Sequence, residues 1–420
     1  MSQPRVHIIG AGLAGLSAAM VLAEAGHAVS LHEAGPAAGG RCRSYFDRAL
    51  GCHVDNGNHL LLSGNRATMA YLERTGARGT LRGPGEPVFP FMDLASGERW
   101  SLRPNIGRVP WWIFSRARRV PGTRLRDYFG LVTLRRVRDD SPVAEILRDT
   151  ALYRRLLEPL AIAALNTPPE QALARLLAAV VDETLALGGA ACIPYVPRDG
   201  LSETFVDPAL AWLTARGAEI TFGRRIAGLR IEDGRVIGLD APDGFIALSP
   251  GEKVVLAVPP WVAGELLPGL VAPDEFQAIV NVHFRATPKI LKGDLGRTGF
   301  LGLIGGVAEW VFVKTEHVSV TISAANRMVD QSAEEIAAAT WLDVRRALDL
   351  PDEKPVWRVV KERRATFAAT SAQERRRPTS RTALENLALA GDWTATGLPA
   401  TIEGAIRSGR MAAECLRGGP

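Results

Sequence analysis

The chain reads as a two-domain α/β protein, a Rossmann-like nucleotide-binding domain assembled from discontinuous segments plus a mixed α+β second domain. Three observations predict this. An apolar strand, a glycine loop and an apolar helix follow one another in "RVHIIGAGLAGLSAAMVLAEAG" (5–26), and the next strand, "AVSLHE", closes on an acid. Near the other end, "LALAGDWTATGLPATIEGAIRSG" runs from a short strand through Gly-Asp into a second helix. Between them lie a mostly helical block and a strand-rich one, with no internal repeat.

A chain of 420 residues is too long for one simple core and calls for two or three domain-sized units. Hydrophobic residues at 47% and charged residues at 23% give a globular balance that excludes extensive disorder. Cys42, Cys52, Cys192 and Cys415 show neither CxxC nor a metal-ligand spacing, the usage of a reducing cytosol, so a cytoplasmic location without disulfides is expected. There is no HExxH and no Ser-His-Asp order, which speaks against a metal enzyme or a hydrolase. Arg5 is the one charge before the first apolar run, and glycines interrupt that run, unlike an export signal. The next most apolar stretch, "LLAAVVDETLALGGAACI", carries Asp182 and Glu183 in its middle and does not read as a membrane span.

The elements then follow in order. In Gly10-x-Gly12-x-x-Gly15, Gly10 permits the tight turn, Gly12 lets backbone approach a pyrophosphate, and Gly15 lets helix and strand pack closely. Leu13 and Ala14 open the helix, whose N–H groups and positive dipole end favour phosphates. Glu33, at the end of the second strand, is placed to accept hydrogen bonds from ribose hydroxyls. Gly39-Gly40-Arg41 brings a second stretch of close backbone, with a fixed cation for phosphate or flavin carbonyls. At the C-terminus Asp392, after Gly391, could hold a ribityl hydroxyl. The helix beginning near Ile402 could stabilise negative charge on a reduced isoalloxazine. Together these pieces point to FAD.

This set resembles the FAD-dependent amine oxidase and phytoene desaturase superfamily. In that likeness the middle segment "EITFGRRIAGLRIEDGRVIGLDAPDG" (219–244) and "KVVLAVPPWV" (253–262) complete the FAD domain, with backbone near Ile226 facing adenine. Some flavoproteins of the kind this chain resembles carry a thioether link, and the lack of cysteine in 391–410 argues for a non-covalent FAD. Three stretches, "HVDNGNHLLLSGN" (53–65), "IPYVPRDGLSETFVDPALAWLTARGAEI" (193–220) and "AGDWTATGLPATIEGAIRSG" (390–409), are similar to the hydroxysqualene dehydroxylases of bacterial hopanoid synthesis. The likeness runs along nearly the whole chain. It departs at Asn58, where that family commonly carries glutamine. The resemblance implies reductive loss of a hydroxyl from a C30 isoprenoid, hydroxysqualene, to give squalene, with reduced FAD as reductant.

Such chemistry needs a proton donor and a dry apolar site. His59 could protonate the leaving hydroxyl or orient the group that does. Asp55 could assist it or hold a loop turn. Glu403 lies on the helix that the resemblance turns toward the flavin, and Tyr195, within "IPYVP", could line a substrate wall. Alternatives are a polyene desaturase of the same fold, an amine oxidase, and a non-catalytic prenyl-lipid-binding protein. The intact Glu33, Gly39-Gly40-Arg41 and Gly391-Asp392 set argues against the last. Nothing in the sequence specifies an electron donor.

In "RVPWWIFSRARRVPGTRLRDYFG" (108–130), Trp111, Trp112, Ile113 and Phe114 precede Arg116, Arg118, Arg119, Arg124 and Arg126. Aromatics prefer the headgroup level and arginines attract anionic lipid, so peripheral docking on the inner face of the cytoplasmic membrane is expected. No nucleic-acid recognition module accompanies the patch. The expected division is 1–95, 206–262 and 356–420 for the FAD domain, and 96–205 and 263–355 for the substrate domain.

Overall fold

Val6 to Ile9 are buried on both faces of their strand, Gln3–Ile9, as the centre of a parallel sheet requires. The structure, a computed structural model, describes residues 3–288, 291 and 293–418. In the first sheet the order is Glu219–Thr221, His27–His32, Gln3–Ile9, Lys253–Leu256, Leu387–Leu389. Every pairing is parallel. All five strands therefore end at one edge, where Gly10, Glu33, Ala257 and Gly391 emerge side by side although the chain between them is long. Ligands of such sheets sit outside those carboxyl ends.

The helix Leu13–Glu24 is buried from Leu13 to Leu22 and is covered by the C-terminal helix Ile402–Arg417. A Cβ at Gly409 would lie 2.1 Å from the Ala14 carbonyl oxygen, so glycine is what lets the two axes approach. Ser17 Oγ donates across the crossing to the Ile406 carbonyl at 2.8 Å. An antiparallel three-stranded sheet, Gly228–Glu232, Arg235–Ala241 and Gly244–Ala247, matches the expected hairpin region.

A seven-stranded sheet builds the second unit, in the order Trp357–Phe367, Phe276–Phe284, Val318–Ile322, Trp310–Val313, Phe300–Ile304, Phe89–Asp93, Arg99–Leu102. One face is apolar. Val280, Val282, Phe284, Val320 and Ile322 pack against Ile336, Ala337, Trp341 and Val344 of the helix Ala333–Leu348. That helix starts with a capping box: Ser332 Oγ accepts from the Glu335 N–H at 3.1 Å, and the Glu335 carboxylate accepts from the Ser332 N–H at 2.9 Å. The alternate residues Asn281, His283, Ser319 and Thr321 form the other face, and it too is buried.

Two strands expected with the FAD segments hydrogen-bond instead into this sheet. Phe89–Asp93 pairs with Phe300–Ile304 and Arg99–Leu102, and Trp357–Phe367 pairs with Phe276–Phe284. Their partners lie far away in sequence, so no local pattern marks the seam. The block between is mainly helical, with Phe129–Arg136, Glu158–Leu165 and Ala174–Glu183 around one apolar cluster.

Candidate active site

Gly10 adopts φ +102°, and a Cβ there would lie 2.5 Å from the Ala257 carbonyl oxygen, so the turn tolerates no side chain. Its N–H donates to the His32 carbonyl at 2.8 Å. A Cβ at Gly15 would lie 2.0 Å from the Gly10 carbonyl oxygen. A Cβ at Gly12, by contrast, meets nothing within 4 Å. The helix behind it has no side-chain cap and no acid in its first turn. The N–H groups of Leu13, Ala14 and Gly15 thus lie at an open helix end, ready for an anion. Gly39 donates to the Ala11 carbonyl at 2.8 Å, which seats the second glycine pair, Gly39-Gly40, against the first loop. Glu33 accepts from the N–H of Ala11 at 2.8 Å and of Gly35 at 2.7 Å. Its orientation is fixed and its remaining lone pairs are left for a ribose. These residues fit a dinucleotide. Ile226 turns its side chain into the cluster with Ile9, Val236 and Leu239.

At the flavin end, Arg41 donates to Asp392 at 2.7 Å and also to the Ala365 carbonyl. The two expected flavin contacts therefore hold each other. Asp392 sits in a loop pinned by Arg377, which sequence reading missed because "ERRRP" looks like a solvated charge run. The Arg377 side chain is fully buried. It donates to the carbonyls of Asp392 (3.2 Å) and Thr394 and to Thr396 Oγ1 (3.1 Å), pairs with Glu374 at 2.8 Å, and lies 4.7 Å over the Phe367 ring. The Gly391 N–H donates to Ser408 Oγ at 2.9 Å, and Thr401 Oγ1 accepts from the Gly404 N–H at 3.0 Å, capping the helix that Ile402 opens.

The loop Asn56–His59 is tied to the Gly-Gly-Arg segment: the Asn56 N–H donates to the Arg43 carbonyl at 2.8 Å and its Nδ2 to the Arg41 carbonyl at 3.2 Å. His59 keeps partial solvent contact. Burial nonetheless pushes its pKa down to about 4, with Asp55 opposing and Arg41 and Lys314 adding to the fall. The ring is neutral at pH 7.

The other catalytic candidates are otherwise engaged. Asp55 accepts from Ser44 Oγ at 2.7 Å, the Leu201 N–H at 2.8 Å and Lys314 Nζ at 3.2 Å, so it ties three segments together. Glu403 is the most fully engaged. Its carboxylate, 4% exposed, accepts from the N–H of Ala67 (3.0 Å) and Thr68 (2.8 Å), from Thr68 Oγ1 (2.7 Å) and from Arg407 (3.2 Å). It caps the helix Arg66–Arg74 from outside, with no lone pair left for chemistry. Tyr195 is held in a strand opposite Leu61, with the Arg78 guanidinium 4.6 Å over its ring, as a packed side chain.

Sequence reading also missed Asn281, His283, Ser319 and Thr321. Their signal is the alternation in "VNVHF" and "VSVTI", where every second residue is polar. In an outer sheet that face would meet water; here it meets the Asn56–His59 loop. Asn58 Nδ2 donates to Ser319 Oγ at 2.7 Å and Thr321 Oγ1 at 3.0 Å.

The basic window splits. Trp111 is 66% exposed and lies 5.9 Å from the ring of exposed Phe114, but Trp112 is 3% exposed and packs edge-on to Tyr128 at 5.3 Å. Trp112 is thus core, because in the 3-10 turn Trp111–Phe114 residues three apart share a side, so Trp111 and Phe114 face out together while Trp112 faces in. Among the described residues no helix is long and apolar enough to cross a membrane.

A family profile described as flavin containing amine oxidoreductase matches residues 13–292 and 311–417. The chain is similar to the hydroxysqualene dehydroxylase of Sinorhizobium fredii, 47% identical over 410 residues covering 97% of each chain. It is likewise similar to that of Zymomonas mobilis, 44% identical over 97% of this chain and 98% of the relative. Among solved structures, an oxidoreductase from Methanosarcina mazei superposes with a TM-score of 0.70 at 17% identity, covering 98% of this chain and all of the other.

Proposed function

Because the chain belongs to the flavin containing amine oxidoreductases, and within them to the hydroxysqualene dehydroxylases, we propose that it converts hydroxysqualene to squalene in hopanoid synthesis. The observation that carries this is 47% identity over 97% of both chains, in a chain whose dinucleotide cradle is intact. A C–OH bond is replaced by C–H. The hydroxyl leaves as water with one added proton, and a hydride fills the carbon. Bound FAD, once reduced, supplies that hydride.

The chain's own residues position and enclose. Gly12, Leu13, Ala14 and Gly40 line the phosphate side, Glu33 the ribose, and Arg41 with Asp392 the flavin side. His59 is neutral at pH 7, so we assign it to orienting the leaving hydroxyl rather than to storing the proton. Asp55 and Glu403 carry no step.

The test is anaerobic. The FAD of the holoenzyme is reduced and hydroxysqualene is added; flavin reoxidation with one squalene per flavin is expected. Absence of reoxidation with substrate bound would overturn the assignment.

A C30 hydrocarbon is nearly insoluble in water, which supports a site of exchange at a bilayer. Trp111, Phe114 and Phe129, exposed beside Arg108, Arg116, Arg118 and Arg126, form a docking patch for anionic lipid. Vesicles containing anionic lipid should pull the protein down at low salt, and Trp111→Ala should weaken that. Equal recovery with neutral vesicles would argue against the patch.

A further inference from the structure

The buried polar face of the seven-stranded sheet has a direction that can be worked out atom by atom. The Asn56 carbonyl can only accept, so Asn281, 3.2 Å away, must turn its Nδ2 toward it. Asn281 Oδ1 then faces Thr321 and takes its hydroxyl proton at 2.8 Å. Thr321 Oγ1, having given its proton away, accepts from Asn58 Nδ2 at 3.0 Å. The second Asn58 N–H goes to Ser319 Oγ at 2.7 Å, and Ser319 meets His283 Nδ1 at 2.9 Å. Flipping the Asn58 amide would set its oxygen against a Thr321 hydroxyl whose proton is already committed. Both Asn58 protons are therefore spent on the sheet, and Asn58 Oδ1 is left as an acceptor. That atom is buried and has no partner.

We propose that Asn58 Oδ1 is the recognition point for the hydroxyl of the substrate, an allylic alcohol on an otherwise apolar chain; this rests on the dehydroxylase reading above. Asn58 lies in the chain between Asn56, tethered to the Arg41 carbonyl, and His59, and as residues both Asn58 and His59 keep partial exposure. A carbonyl shielded from water and lacking a donor gains most from a ligand that brings one O–H. The alcohol O–H donates a hydrogen bond to Asn58 Oδ1 and keeps its proton, and the oxygen lone pairs stay free to receive the proton with which water departs. Squalene has no O–H and leaves the acceptor unpaired. The same atom thus favours substrate over product, and loss of the hydroxyl promotes release.

Binding to the oxidised FAD holoenzyme, which cannot turn over, tests this. Hydroxysqualene and squalene are each titrated in detergent micelles, reading the flavin absorbance. Wild type should hold the alcohol roughly tenfold more tightly. Asn58→Leu should abolish the difference by weakening the alcohol alone, and Asn58→Gln should restore part of it. Ser319→Ala, which leaves the amide held by Thr321 only, should give an intermediate ratio and carries the test if Asn58→Leu loses its flavin. An unchanged alcohol-to-hydrocarbon ratio in the variants overturns the inference while leaving the function standing. A wild-type holoenzyme that binds and turns over neither compound overturns both.

Discussion

The glycine cradle and the polar face of the seven-stranded sheet are both built to meet a ligand, and they are written in opposite ways. The cradle is backbone: Gly10, Gly12 and Gly15 lie within six residues, Gly10 and Gly15 explained by what a side chain would strike and Gly12 by the open space it leaves at the helix end. The polar face is side chain: Asn58, Asn281, His283, Ser319 and Thr321 come from three distant segments and make sense only through one another's protons. Backbone recognition leaves a local signature; side-chain recognition leaves one only in space.

The cradle itself offers the hardest test. Gly15→Val should abolish FAD binding and yield insoluble protein, since its Cβ would fall 2.0 Å from the Gly10 oxygen. Gly12→Ala has open space at its Cβ and should fold, yet load less flavin, because the added methyl occupies the ligand's side. Equal flavin content in the two variants would erase the division of duties between them.

Glu403→Ala comes next. It strands the buried N–H groups of Ala67 and Thr68 and should cost about 1–3 kcal/mol in denaturant unfolding. Flavin content and turnover of the surviving protein should stay near wild type. A turnover loss far beyond the stability loss would return Glu403 to the chemistry.

The polar face makes a smaller, pH-dependent contribution. Burial lowers His283 to about 3, helped by His317, and lowers His317 to about 4, helped by Lys314. An unfolded chain holds its histidines near 6.5 and so binds more protons than the folded one below that value. Stability from these rings is complete above pH 6.5 and lost as pH falls toward 4 and 3. The thermal midpoint should drop on acidification from pH 7 to 5, and His283→Gln should flatten that drop by roughly one or two degrees. An unaltered slope would remove His283 from the account.

What the sequence made legible follows the same division. The parallel sheet, both of its helices, the hairpin region and the FAD cradle were all readable, because period, glycine spacing and strand-end acids act over a few residues. The capping bonds of Glu403 were not legible, because an acid at a helix start looks alike whether it faces a ligand or caps a neighbouring helix. Trp112 misled because the segment is a 3-10 turn, in which residues three apart, Trp111 and Phe114, share the exposed side while Trp112 between them turns inward. Arg377 hid among exposed arginines. The strands Phe89–Asp93 and Trp357–Phe367 crossed the expected boundary because their partners are fixed by tertiary pairing alone.

The strand Trp357–Phe367 has a mechanical consequence. Its first residues lie in the ladder with Phe276–Phe284, with Trp357 and Val359 against the apolar core beneath. Its last, Phe367, belongs to the cluster that also holds Leu387, Leu389 and Trp393, and its Ala365 carbonyl takes the Arg41 guanidinium. One eleven-residue strand, its ladder interrupted only by a bulge before Thr366, is thus shared by both cores, a tie-rod with no linker in it. Neither half can swing away without tearing that ladder. In calorimetry the two halves should melt as one transition, and two separate peaks would mean that the rod carries no load.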